Sequence, residues 1–146
     1  MAQDDARYGH LLHGVALNDV PPIGIGRRVA LIADEDPSIL WLLRRALVDD
    51  FDVAVAENGL RAVELAGTAH PDVILLDLGM PVLDGFGACR QIRAVLPRIP
   101  IVIVSGLTDE DSVRGAFEAG ATDYLTKPFT PSQLRARLQA CLLRSS

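Results

Sequence analysis

The sequence is short of the features that would mark a secreted, membrane-spanning or nucleic-acid-binding chain. Cysteine occurs twice, at Cys89 and Cys141. The two are too far apart for a metal-ligand spacing, so they read as buried thiols and nothing implies an oxidising compartment. No apolar run reaches the roughly 18 residues that a membrane helix requires. The start carries Asp4 and Asp5 where a secretory signal would be basic, and no long apolar run follows. Positive charge is also scarce: 14 Lys and Arg stand against 19 Asp and Glu, a formal net charge of −5. Direct nucleic-acid binding through bulk charge is therefore not expected. His10, His13 and His70 show no ligand spacing and are assigned no role. What is present is ordinary globular material, with 49% hydrophobic and 23% charged residues in 146. That length suits one domain, and the expected setting is the cytoplasm.

Residues 1–26 hold Pro21-Pro22, Gly24 and Gly26 and show no sustained period. They read as an N-terminal extension, flexible or loosely docked, with the domain proper over 27–146. From Arg27 the pattern becomes regular. Apolar runs at Val29–Ala33, Val53–Ala56, Val73–Leu76, Ile101–Val104 and Thr122–Leu125 predict five strands. Between and after them, apolar stripes at helical spacing predict five helices. The stripes are Ile39, Leu43, Ala46 and Leu47; Leu60, Val63 and Leu65; Phe86, Cys89, Ile92 and Val95–Leu96; Val113, Phe117 and Ala119; and Leu134, Leu138, Cys141 and Leu142. Asp36-Pro37-Ser38 and Thr130-Pro131 read as helix starts, Asn58-Gly59 as a loop-to-helix entry, and Gly120 as a helix stop. Strict alternation of strand and helix predicts a doubly wound α/β fold with a parallel sheet and helices on both faces. In such a fold the ligand site lies outside the carboxyl ends of the strands.

The residues just past those ends carry chemistry. Asp34, Glu35 and Asp36 follow the first strand, Asp77 the third, Ser105-Gly106 the fourth and Thr126-Lys127-Pro128 the fifth. Taken singly, each has a plain explanation: a helix cap, a loop hydroxyl, a solvated charge. Together they place carboxylates, a hydroxyl and an ammonium in one cleft. Clustered carboxylates require a compensating cation. Oxygen-only ligands favour a hard ion such as Mg²⁺, completed by phosphate oxygens. The cluster therefore reads as a phosphoryl-transfer centre with an Asp nucleophile.

Three strings carry a family resemblance. Asp77-Leu78-Gly79-Met80-Pro81-Val82-Leu83-Asp84-Gly85 resembles the phosphoacceptor loop of bacterial response-regulator receiver domains. Gly120–Phe129 resembles that family's last strand and Lys-Pro turn, and Val29–Pro37 its acidic first-strand end. The resemblance covers about residues 27–144. It implies a flavodoxin-like (βα)5 three-layer sandwich, chemotaxis-regulator-like, with strand order 2-1-3-4-5. It implies that Asp77 accepts a phosphoryl group from a sensor histidine kinase or phosphotransfer protein. It further implies Mg²⁺ held by Asp34, Glu35, Asp77 and the Gly79 backbone carbonyl. Ser105 and Tyr124 would be the switch residues and Lys127 the phosphate partner, its bond to Pro128 often cis in this family. The chain would then be a two-component switch, assisting only its own phosphorylation and dephosphorylation.

Departures from the family pattern fall beside the site. Glu35 stands where Asp is more common, Gly79 lacks a side chain that often flanks the phosphoryl group, and Leu107 is apolar where polar residues are common. Two other readings of the same residues stay open. One is a phosphatase using Asp77 on an external substrate, which commonly carries a second Asp where Gly79 stands. The other is a docking module independent of phosphorylation.

Ile39-Leu40-Trp41-Leu42-Leu43 is more apolar than one buried helix face requires. If Ile39 and Leu43 face the sheet, Trp41 points away from it, either packed on a neighbour or free to meet a partner. The resemblance makes Ile39, Leu42 and Pro128 candidates for kinase docking. It also relates Asp123 and Arg137 to a dimer face in receivers of winged-helix transcription factors, against the plainer reading of two unpartnered surface charges. A homodimer through the fourth helix, fifth strand and fifth helix is one expectation, and control of an output partner or a DNA-binding output domain through that face is another.

Overall fold

The computed structural model describes residues 27–145, so the expected N-terminal extension at 1–26 lies outside the described residues. The elements are β1 (Arg28–Ala33), α1 (Pro37–Leu47), β2 (Phe51–Ala56), α2 (Gly59–Thr68) and β3 (Val73–Leu76), then α3 (Gly85–Val95), β4 (Ile101–Ser105), α4 (Glu110–Glu118), β5 (Asp123–Thr126) and α5 (Pro131–Ser145). All strand pairings are parallel, and the order across the sheet is β2-β1-β3-β4-β5. This is the doubly wound three-layer sandwich that the alternation predicts.

Local chemistry sets the helix starts. Asp36, Asn58, Asp84 and Asp109 are N-caps whose side chains accept a hydrogen bond from a first-turn N–H. Pro37 occupies the first turn of α1, where a missing N–H is harmless. Thr130 and Gln133 exchange side-chain and backbone hydrogen bonds at the start of α5. Gly120 leaves α4 at φ +114, a conformation that favours glycine.

The core lies in two layers, one on each face of the sheet. Leu65, Ile92, Ile101 and Ile103 belong to the layer beneath α2, α3 and α4. Leu43, Leu47, Leu134 and Leu138 belong to the layer beneath α1 and α5. The central strands are buried on both faces, which is why they read as unbroken apolar runs.

Several stripe positions differ from expectation. Leu60, Val95 and Phe117 are exposed. Ala62, Leu65 and Ala66 form the inner face of α2, and Ala116 that of α4. The alanines among them let the helix backbones sit close to the sheet. β2 begins at Phe51, two residues before the apolar run, because Asp52 is buried by pairing with Arg27 at 3.0 Å. β5 is displaced by one residue, to Asp123–Thr126.

Candidate functional site

The carboxyl ends of β1 and β3 lie side by side, because Ala33 pairs with Leu76 and the Asp77 N–H donates to the Ala33 carbonyl at 3.0 Å. The ladder between β4 and β5 also runs one residue past its end, with the Lys127 N–H donating to the Ser105 carbonyl at 2.8 Å. These backbone bonds set Asp34, Asp77, Ser105 and Lys127 around one edge of the sheet.

Lys127 Nζ lies 2.7 Å from Asp34 Oδ2 and 3.3 Å from Asp77 Oδ1. Each carboxylate has a second contact: Asp34 Oδ1 accepts from the Asp36 N–H at 3.0 Å, and Asp77 Oδ2 from the Gly79 N–H at 3.2 Å. The side chain of Asp34 is only 2% exposed, whereas that of Asp77 is 14% exposed and faces solvent at the cleft. Burial alone would lower the Lys127 ammonium. The hydrogen bond and charge of Asp34, followed by those of Asp77, more than reverse this, so its pKa is raised. Lys127 is therefore a fixed cation at neutral pH. Its peptide bond to Pro128 is cis.

Ser105 is buried, and its hydroxyl oxygen accepts from the Leu107 N–H at 3.1 Å. The Ser105 hydroxyl proton remains available for another acceptor. Tyr124 is also buried and donates its O–H to the Leu107 carbonyl at 2.7 Å. Both side chains thus hold the same loop residue.

The expected metal donors are all hard oxygens: the carboxylates of Asp34 and Asp77, the exposed Glu35, and the exposed backbone of Gly79. Two adjoining carboxylates share one ammonium, which leaves excess negative charge. That chemistry fits a hard divalent cation. Among the described residues, however, no three His, Cys, Asp or Glu side chains are gathered as a ready ligand set. Lys127 holds one oxygen of each aspartate, and Glu35 is exposed.

On α1, Trp41 is 58% exposed, with the Arg45 guanidinium 5.0 Å over its ring, and Leu42 is 53% exposed. Ile39 is half-buried against the core, and Pro128 is exposed. Asp123 and Arg137 pair with each other at 2.9 Å, and Arg137 also donates to the Tyr124 carbonyl at 2.9 Å. They are therefore not the unpartnered charges of the plainer reading.

Three features escaped the sequence reading: the Arg27–Asp52 pair, the hydrogen bonds of Arg93, and a strained turn. An unbroken apolar alternation through Phe51 and Val53 signals the first, since a strand that includes Asp52 must give that charge a partner. In the turn, Leu83 N–H donates to the Pro81 carbonyl at 2.7 Å across Val82, which sits at φ +70. A β-branched residue there is strained. Val82→Asn is expected to raise stability by about 1 kcal/mol, because Asn tolerates positive φ. Urea unfolding of the two proteins measures it.

A family model for the response regulator receiver domain matches residues 30–139. Response regulator MprA of Mycobacterium sp. (strain KMS) is 40% identical over 120 residues, covering 80% of this chain and 51% of that protein. The alkaline phosphatase synthesis transcriptional regulatory protein PhoP of Bacillus subtilis (strain 168) is 41% identical over 117 residues, covering 79% of this chain and 48% of that protein. The chain thus spans about half the length of these curated relatives. Among solved structures, the receiver domain of sensor histidine kinase PA1611 from Pseudomonas aeruginosa PAO1 has a TM-score of 0.75 at 30% identity, covering 80% of this chain and 98% of that one. That structure has a magnesium ion coordinated in its active-site cleft. No helix among the described residues is long and apolar enough to cross a membrane. With the sheet order, the Asp34–Lys127–Asp77 cluster and a family match spanning most of the sequence all in agreement, the chain belongs to the response-regulator receiver domains of two-component systems.

Proposed function

We propose that this chain is a phosphoacceptor switch that takes a phosphoryl group onto Asp77 from a phosphohistidine of a sensor histidine kinase or phosphotransfer protein. The observation that carries this is the bridge from Lys127 Nζ to Asp34 at 2.7 Å and Asp77 at 3.3 Å, with Asp77 the more accessible of the two carboxylates. In the transfer, an oxygen of Asp77 forms a bond to phosphorus as the phosphorus–nitrogen bond breaks, and the imidazole leaves with that electron pair. Lys127 balances charge on the phosphoryl oxygens as a point cation. Asp34 orients Lys127 and keeps it charged. The Gly79 N–H already bonds Asp77 Oδ2 and helps fix the carboxylate plane. A Mg²⁺ ion, when bound, would neutralise phosphoryl charge, and Asp34, Glu35, Asp77 and the Gly79 carbonyl would hold it.

The added phosphoryl charge gives the Ser105 hydroxyl a new acceptor. Drawing Ser105 toward it competes with the Leu107 N–H, and Leu107 is also where Tyr124 is tied. This couples the site to the face formed by α4, β5 and α5. The same face would control a partner or output domain. A homodimer through it would have to exchange the internal Asp123–Arg137 pair for one between chains. Transcriptional output is supported by the PhoP relative, itself a transcriptional regulatory protein. The exposed Trp41 and Leu42 beside the site suit a kinase helical bundle. Gly79, in the position of a phosphatase's second Asp, favours a switch over an enzyme acting on external substrates.

The test is the intact mass after incubation with Mg²⁺ and acetyl phosphate. The wild-type protein is expected to gain one phosphoryl group, and Asp77→Asn none. A gain that persists in Asp77→Asn would move the acceptor elsewhere. No gain in wild type, where a control receiver is labelled, would sink the switch and leave a phosphorylation-independent docking module.

A further inference from the structure

α4 is held weakly by packing: of its nine residues only Ala116 is fully buried. Its position therefore depends on what ties its two ends. At its start, the loop leading into it is held by one side-chain bond from β5, Tyr124 O–H to the Leu107 carbonyl. At its end, the restraint is of another kind. Arg93, on α3, donates from Nε and Nη2 to the Gly120 carbonyl at 2.9 and 2.8 Å. Its Nη1 donates to the Leu96 and Ile99 carbonyls at 3.0 and 2.6 Å. Nη2 also reaches Thr122 Oγ1 at 3.3 Å, and that same oxygen accepts from the Ile101 N–H at 3.0 Å.

One guanidinium thus joins the end of α3, the segment entering β4, the turn leaving α4 and the residue entering β5. No carboxylate is among these partners. The positive charge instead sits at the carbonyl-bearing ends of two helices, α3 and α4, where their dipoles favour a cation. The turn is shaped around it: a Cβ at Gly120 would lie 2.9 Å from Arg93 Cγ. Thr122, just before β5, and Tyr124, within it, belong to the same short segment of chain. Arg93 and Tyr124 therefore act at opposite ends of α4: Arg93 holds the turn after it through three bonds, two to Gly120 and one to Thr122, and is itself anchored by two more to Leu96 and Ile99, while Tyr124 holds the loop before it through one.

We propose that Arg93 is a positioning residue for the switch, pinning the turn from α4 into β5 so that phosphorylation moves α4 only at the end that Tyr124 holds. The inference rests on the reading of Asp77 as phosphoacceptor and Tyr124 as switch residue. The asymmetry of the ties supports it. A change at the Ser105–Leu107 loop meets two side-chain bonds at Leu107, one from Ser105 itself and one from Tyr124, and at the far end a guanidinium tied to four acceptors. With Arg93 weakened, α4 would drift as a whole and Tyr124 would lose its two-position response.

The experiment uses the full chain labelled with 3-fluorotyrosine, in Mg²⁺, with and without the phosphoryl mimic beryllofluoride. The chain has two tyrosines, and Tyr124→Phe assigns their fluorine resonances. In wild type the Tyr124 resonance is expected to shift on adding beryllofluoride. Arg93→Lys keeps the charge but cannot reach all four acceptors, and is expected to lose about half or more of that shift. Labelling of Asp77 by acetyl phosphate should stay within about two-fold of wild type, since no atom of Arg93 enters the phosphoryl site. Thr122→Val, the milder change, is expected to fall between the two and serves if Arg93→Lys does not fold. A purely structural role would lower the unfolding midpoint and leave the fluorine shift intact, which overturns the inference alone. Absence of a shift in wild type would remove the switch reading, and this inference with it.

Discussion

Lys127→Met is expected to slow phosphoryl labelling of Asp77 by about 100-fold or more, the usual cost of losing one preorganised charge-stabilising group. It is also expected to lower folding stability by about 3 kcal/mol, because Asp34 is left buried without its ion-pair partner. Met keeps most of the stem length and removes the charge, so packing changes little. A time course of intact mass reads the first effect and urea unfolding the second. Magnesium should separate the two proteins further. Lys127 Nζ holds Asp34 Oδ2 and Asp77 Oδ1, so a hard cation competes with it for those oxygens. The stabilisation from added Mg²⁺ is therefore expected to be larger in the Met variant than in wild type.

The pH dependence follows from the raised pKa of Lys127. Its contribution to stability is complete below the ordinary lysine value of 10.5 and is lost as pH rises through the higher folded value. Lys127 is the only lysine in the chain, so selective ¹⁵N-lysine labelling follows its titration without overlap. A folded Nζ titrating below 10.5 would contradict the geometry.

The second large effect is expected at Gly85. A Cβ there would lie 2.2 Å from the Asp77 carbonyl oxygen and 2.7 Å from Leu78 Cα. These are backbone atoms and cannot swing aside. Gly85→Ala is expected to cost about 3 kcal/mol or more and to reduce labelling, because the backbone of Asp77 itself must move. Gly79→Ala is the control. Its Cβ would meet Asp77 Oδ2 at 3.8 Å, an ordinary contact, and stability should change by less than about 0.5 kcal/mol. Equal losses from the two substitutions would show that the loop yields easily and that close approach at Gly85 is unimportant.

The sheet and the cluster at its edge were legible for a shared reason. Strands buried on both faces must be apolar, and Asp34, Asp77, Ser105 and Lys127 come at or just beyond the ends of such runs. Residues that make contacts distant in sequence were harder to read. Asp52 interrupted an apolar run because its partner Arg27 lies 25 residues away. Leu60 and Phe117 fit a stripe by size, yet alanines take the inner positions where helices approach closely. Arg93 gave no signal at all: its partners are chiefly backbone carbonyls, which every residue carries. Asp123 and Arg137 were visible as charges, but that they satisfy each other depends on how α5 lies against β5.

The Arg27–Asp52 pair bears on how this protein behaves in a crowded solution. Among the described residues, β2 and β5 are the outer strands of the sheet, and each has a strand neighbour on one side only. Such strands are templates for edge-to-edge aggregation. β5 offers only four residues. β2 is longer, at six, but carries the buried carboxylate of Asp52, whose Oδ2 has no hydrogen-bond partner among the described residues. An inward-pointing charge on an edge strand disfavours pairing with another chain. The inward-facing Asp52 thus gives the longer edge a deterrent to pairing that β5 has through its shortness alone.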